Sequence, residues 1–162
     1  MDVLVALAIS IGVLIAGWTY VASAEVANLP VWAGIVAWGC FFAAGGKTTG
    51  LSKTIASNLS GVVWAFLALQ ALPRAGGTTL ALSLLVGLAA LFMVLQAKIS
   101  LLSFIPGAFL GAATAVSVVS RTGADAFANP WIKTVIALVV GAVLGYLSEM
   151  LAGTFSRPKR TV

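Results

Sequence analysis

Histidine is absent from this sequence, cysteine occurs once, and only four side chains carry a carboxylate. Each shortage closes off some chemistry. Without histidine the chain lacks the commonest metal ligand and the usual proton shuttle near neutral pH. Cys40 lies inside an apolar run, excludes an intramolecular disulfide and any multi-cysteine metal site, and reads as a small core residue. Asp2, Glu25, Asp125 and Glu149 give acid–base catalysis and carboxylate-driven proton coupling little material. Only Glu149, near the end of the last apolar segment, is placed for coupling. No nucleophile–base pair can be assembled. The expectation is a protein that is not an enzyme and uses no cofactor and no metal.

Charge of either sign is scarce as well. Eight per cent of residues are charged and 61% hydrophobic, with a mean hydropathy of +1.13, whereas charged residues make up about a quarter of a soluble domain. Such a chain belongs in a lipid bilayer. At about 20 apolar residues per crossing, it holds six or seven spans at most, with no room for a soluble domain. Its work is done in or at the membrane, and no nucleic-acid partner is expected.

Six segments have the character of spans, over about 3–21, 30–44, 51–72, 78–96, 100–119 and 130–151. The reading is one all-α integral membrane domain, residues 1–155, with halves of about 1–73 and 74–155, followed by a basic tail at 156–162. The second segment, about 15 residues, is short for a full crossing. The fifth contains Pro106-Gly107, where a kink or helix break is expected. Ala22-Ser23-Ala24 resembles a signal-peptidase site. The preceding stretch has no basic residue and is too long for a cleaved signal, so the first span is read as uncleaved. Gly12 and Gly17 narrow its face. Trp18, Trp32, Trp64 and Trp131 suit the interfacial belt.

The glycine turn at 45–50 carries Gly46-Lys47-Thr48, but Phe41 stands where a phosphate loop needs its first glycine and no strand precedes it. Nucleotide binding is not the reading. With six spans, Lys47, Lys53, Lys98, Arg157, Lys159 and Arg160 fall on one side and Arg74, Arg121 and Lys133 on the other. The positive-inside rule then puts both termini in the cytoplasm.

The halves echo each other. Lys133-Thr134-Val135 matches Lys53-Thr54-Ile55, and Gly141 falls on Gly61, at a spacing of eighty residues. With small shifts, the stretch from Ala6 to Gly12 sits over Ala81 to Gly87, and Gly34 over Gly107. Three spans per half means that the copies cross in opposite directions, which is an inverted-topology repeat.

Several of these stretches carry a further likeness. Gly45-Gly46 leading to Leu59-Ser60-Gly61-Val62-Val63-Trp64-Ala65, with Gln96-Ala97-Lys98 and Leu102-Ser103-Phe104-Ile105-Pro106-Gly107, resembles a family of small bacterial inner-membrane proteins catalogued as domain of unknown function 1097. The likeness covers nearly the whole chain except the basic tail. It implies a bacterial inner membrane and several helices, and supplies no activity and no site residues.

Function is therefore sought in the polar residues. The third span is the most polar, with Thr54, Ser57, Asn58 and Ser60. Thr114 and Ser117 lie on the fifth, Thr134 on the sixth, and Pro106 and Gly107 at the break. Hydroxyls and one amide replace the water hydrogen bonds of a small neutral solute without strongly attracting charge. Lys53 and Lys133 stand near opposite faces, where they repel cations or attract anions. Two readings stay open. In one these residues line a path for a small, mostly uncharged solute, and the protein is a channel or facilitator. In the other they are interhelical hydrogen-bonding groups and snorkelling lysines in a non-transporting scaffold or accessory subunit. A homo-oligomer is expected in either case, because short helices with glycine faces need neighbours.

Overall fold

In lipid a backbone must close its hydrogen bonds within each segment. The computed structural model, which describes residues 2–122 and 127–156, does so with six α-helices among those residues. They are α1 (Val3–Ala22), α2 (Val31–Ala43), α3 (Lys47–Ala71), α4 (Thr79–Leu95), α5 (Ile105–Val119) and α6 (Pro130–Phe155), with two short 3-10 turns at Gln96–Lys98 and Ser100–Leu102 between α4 and α5. Asp125 and residues 157–162 of the basic tail lie outside the described residues.

The helix ends follow from local chemistry. The Asp2 carboxylate accepts from Leu4 N at 2.9 Å and starts α1, while the Thr78 hydroxyl accepts from Ala81 N at 3.1 Å and starts α4. Pro30 precedes α2, and Pro130 opens α6 where a missing N–H costs nothing. After α3 the chain turns through Gly76 and Gly77, both at positive φ.

Length separates the helices into two kinds. Four stretches, Val3–Ala22, Lys47–Ala71, Thr79–Lys98 and Pro130–Phe155, are long and apolar enough to cross a membrane. The helices α2, with 13 residues, and α5, with 15, are shorter. At 1.5 Å per residue they reach roughly 20 Å, against a hydrocarbon core of about 30 Å. The second segment is short, as expected, and the fifth is short as well. The expected kink at Pro106-Gly107 is not inside a helix. Pro106 sits in the first turn of α5, and the irregular backbone precedes it as the two 3-10 turns.

The long helices α3 and α6 pack together at the centre. The short α5 lies along α3 and the short α2 along α6, while α1 covers α6 and α4 rests on α3. A central apolar cluster joins Ala37, Val62, Ala65, Ala115, Leu138 and Ala142 from all four inner helices. A second one, between α1, α2 and α6, joins Trp18, Ala22, Ala33 and Ala137. The outer surface is apolar too, with Leu4 and Val13 of α1 and Leu80 and Leu84 of α4 mostly exposed. Such a surface suits lipid rather than water.

Small residues set the inner spacing. A Cβ on Gly61 would run into the Ala108 carbonyl, one on Gly111 into the Asn58 carbonyl, and one on Gly141 into the Gly34 carbonyl. The backbones therefore touch along both seams, α3 with α5 and α6 with α2. Gly12 and Gly17 differ: nothing lies within 4 Å of where their side chains would be.

Candidate functional site

Ser57 and Asn58 lie three and four residues after Thr54 on α3, so both share its face of the helix. That face is turned into the protein, and none of the three has exposed surface. Helix α5 closes over them. A Cβ on Gly107 would come within 3.1 Å of Ser57 Cβ, and Gly111 rests on the Asn58 backbone. From α2, the Cys40 thiol faces the Asn58 side chain without forming a hydrogen bond to it.

Packing here is complete while hydrogen bonding is not. Among the described residues, Thr54 Oγ1, Ser57 Oγ, Asn58 Nδ2 and Asn58 Oδ1 are buried without a partner. Helical threonines usually turn back on the carbonyl one turn earlier. Thr134 does this, donating to the Pro130 carbonyl at 2.7 Å, and Thr54 does not. An unpaired buried amide or hydroxyl costs about 1–3 kcal/mol. The interior of α3 is an unused hydrogen-bonding surface.

The other residues expected at the site have separate fates. The Ser60 hydroxyl donates to the Ser57 carbonyl at 2.7 Å and accepts from Gln96 Nε2 at 2.8 Å, while Gln96 Oε1 accepts from Trp64 Nε1 at 2.9 Å. Ser60 is fully engaged in holding the α4–α5 connection to α3. Thr114 is buried on α5, and Gly107 is buried where Pro106 is exposed. Ser117 faces an apolar groove between α3, α4 and α5. Lys133 Nζ donates to the Asn28 carbonyl at 2.6 Å and approaches the Ala27 carbonyl at 3.5 Å, which fastens the α1–α2 loop to α6. Lys53 instead lines a groove beside Ser100.

Among the four tryptophans read as belt residues, Trp18 is buried and Trp32, Trp64 and Trp131 are half-buried. Trp18 is buried, donates to the Val31 carbonyl at 2.9 Å, and fills the space left by Gly34. Trp64 stacks on Phe92 with ring centroids 5.0 Å apart. Trp131 meets Phe66 edge-on, and Arg121 lies 4.3 Å above the Trp32 ring.

Three polar connections escaped sequence reasoning. Gln96 bridges Ser60 and Trp64. Trp38 Nε1 donates to Ser148 Oγ at 3.2 Å, while Ser10 Oγ donates to the Ser148 carbonyl at 2.9 Å. Glu149 accepts from the backbone of Lys47. The available signal was a lone polar residue inside each apolar run, which marks a group needing a partner without naming it.

Comparison with known proteins agrees with a membrane setting. A family model described as "Protein of unknown function (DUF1097)" matches residues 8–153. The chain is similar to "Inner membrane protein YcdZ" of Escherichia coli strain K12, at 33% identity over 90% of this chain and 83% of the relative. The protein of the same name in Salmonella typhimurium is 31% identical, over 90% and 85%. "Uncharacterized protein YahC" of Escherichia coli strain K12 is 31% identical, over 92% and 90%. No solved structure matches. With its helical fold, its apolar exterior and this near full-length match, the chain is a membrane protein belonging to the DUF1097 family.

Proposed function

We propose that this protein is a multi-pass channel or facilitator for a small, mostly uncharged solute, seen in an occluded state. The observation that carries the reading is the set of four unpartnered polar atoms on Thr54, Ser57 and Asn58, sealed at the centre of the helix packing. Polar groups buried without partners are unfavourable, and a protein that keeps them in lipid has a use for them. An amide and two hydroxyls offer donors and acceptors together, which matches water, ammonia, urea-like amides and small alcohols. Carboxylates are not among these groups, so the path carries no proton or sodium coupling.

The architecture proposed is an inverted repeat, with α1–α3 and α4–α6 as its halves. Support comes from the burial pattern. Thr54, Ser57, Asn58, Gly61, Val62 and Ala65 are buried on α3, and eighty residues on so are Thr134, Ala137, Leu138, Gly141, Ala142 and Gly145 on α6. Ala33, Gly34, Ala37, Cys40 and Phe41 are buried on α2, and seventy-four residues on so are Gly107, Ala108, Gly111, Thr114 and Ala115 on α5. This register is one residue on from the sequence alignment of Gly34 with Gly107. In the same correspondence Gly61 against Ala108 becomes Gly141 against Gly34. Two helix pairs of equal build, α3–α5 and α6–α2, are suited to opening alternately, and withdrawal of α5 from α3 uncovers Asn58. Both termini are assigned to the cytoplasm, on the lysine and arginine distribution. The working unit is a homo-oligomer, since the outer helices α1 and α4 bury little of their surface.

A second reading, a non-transporting accessory subunit or scaffold, has one observation in its favour. Helix α4 is flanked by apolar grooves of about 550 Å³ and about 170 Å³, which suit a partner helix. Liposome swelling decides between them. Reconstituted protein accelerates flux of at least one solute in a panel of small neutral molecules, and Asn58→Leu removes the acceleration. Silence across the panel, with one dominant partner recovered from membranes, rejects the channel.

A further inference from the structure

Beside the amino-terminal half of α3, a groove of about 500 Å³ opens toward the α4–α5 connection, lined by Thr48, Thr49, Ser52, Lys53 and Ser100. The remaining wall is apolar, from Ile99 and Leu101, each more than half exposed. Lys53 is half-buried and makes no hydrogen bond or ion pair among the described residues. Its situation contrasts with that of Lys133, eighty positions later. The ammonium of Lys133 is satisfied by the carbonyls of the α1–α2 loop. Where that loop would correspond to the α4–α5 connection, Lys53 meets an open groove.

The hydroxyls around it complete a recognisable ligand chemistry. Ser52 Oγ donates to the Thr48 carbonyl at 2.9 Å, while the hydroxyls of Thr48, Thr49 and Ser100 are exposed and have no partner among the described residues. One cation with several free donors suits a phosphate group. The neighbouring carboxylate, Glu149, is directed onto the Lys47 peptide at 2.7 Å. Lys47 and Lys98, both exposed, reinforce the positive potential at this end. The apolar wall is the feature a free anion would not need.

We propose that the Lys53 groove binds the phosphate of an anionic phospholipid headgroup, with Thr49 and Ser100 as hydroxyl donors and the acyl-chain root against Ile99 and Leu101. This inference rests on the groove alone and stands or falls separately from the permeation reading. A zwitterionic headgroup is disfavoured, because its cation would sit among Lys47, Lys53 and Lys98.

The test uses the full chain in neutral detergent, with melting temperature followed as short-chain phosphatidylglycerol, phosphatidylcholine or inorganic phosphate is added. Phosphatidylglycerol raises the melting temperature and phosphatidylcholine does not. Lys53→Gln cancels the rise, and so does Ser100→Leu, which fills the groove from an exposed turn and serves if Lys53→Gln fails to fold. An equal rise with inorganic phosphate alone overturns the lipid and makes the ligand a free anion. Equal responses to the two lipids, or a rise that survives Ser100→Leu, overturn the site.

Discussion

Glu149 on α6 reaches the amino end of α3 and accepts the backbone N–H of Lys47 at 2.7 Å. The cap of α3 is Gly46, which has no side chain to satisfy the first-turn donors, so a carboxylate from another helix takes that part. The same contact bears on Gly46. Gly45, Gly46 and Lys47 all have positive φ, and a Cβ on Gly46 would stand 2.7 Å from Glu149 Oε1. The turn from α2 into α3 and the register of α6 are thereby fixed together.

Glu149→Ala removes this cap and is expected to cost about 1 kcal/mol, within the range of lost helix caps. Gly46→Ala costs more, since it adds left-handed backbone strain to the collision with the carboxylate. Unfolding in mixed micelles measures both. An unchanged midpoint for both variants would mean that the α2–α3 turn is held by something other than Glu149.

The two helix seams predict a sharp division among glycines. Gly61→Ala, Gly111→Ala and Gly141→Ala each drive a methyl group into a backbone carbonyl that has no rotamer to escape with. Losses of about 1–3 kcal/mol or more are expected. Gly12→Ala and Gly17→Ala meet nothing within 4 Å. Alanine is the better helix former by about 1 kcal/mol, so these two are neutral or stabilising. The same unfolding assay ranks all five variants.

That division was only half legible in the sequence. Hydropathy located the helices, because lipid admits few alternatives for an apolar run. The polar character of α3 likewise identified Thr54, Ser57 and Asn58 as the residues to follow. Glycine, however, looks the same at a backbone seam and on a lipid-facing surface: Gly12 and Gly141 differ only in their tertiary neighbours. Pro106 was legible as a discontinuity, yet its position in the first turn of α5 depends on the 3-10 turns before it. Lys53 and Lys133 read as twins, and only the fold distinguishes the tethered one from the one beside a groove.

Gln96 offers a test of the polar links that the sequence concealed. Its side chain accepts from Trp64 and donates to Ser60. Gln96→Leu leaves the Trp64 indole N–H and the Ser60 oxygen without these partners in a half-buried place. A cost of about 1–3 kcal/mol is expected. Indole fluorescence of a variant retaining Trp64 as the sole tryptophan reports the loss of its hydrogen bond, separately from overall stability.

Asn58 makes the opposite prediction, and it is the one that separates a path from a scaffold. Its amide is buried with neither polar atom paired, so leucine, of similar size, removes a desolvation cost without breaking a hydrogen bond. Stability of Asn58→Leu should be unchanged or raised by about 1 kcal/mol. Ser60→Ala, at a bonded position two residues along, should lose stability. If the amide serves a solute, Asn58→Leu abolishes flux in a protein that is at least as stable as the parent. A structural amide gives the reverse pattern, with stability falling by 2 kcal/mol or so and flux following only as folded protein is lost. Measuring both quantities on one preparation decides whether the helix packing around Asn58 must open for the protein to work.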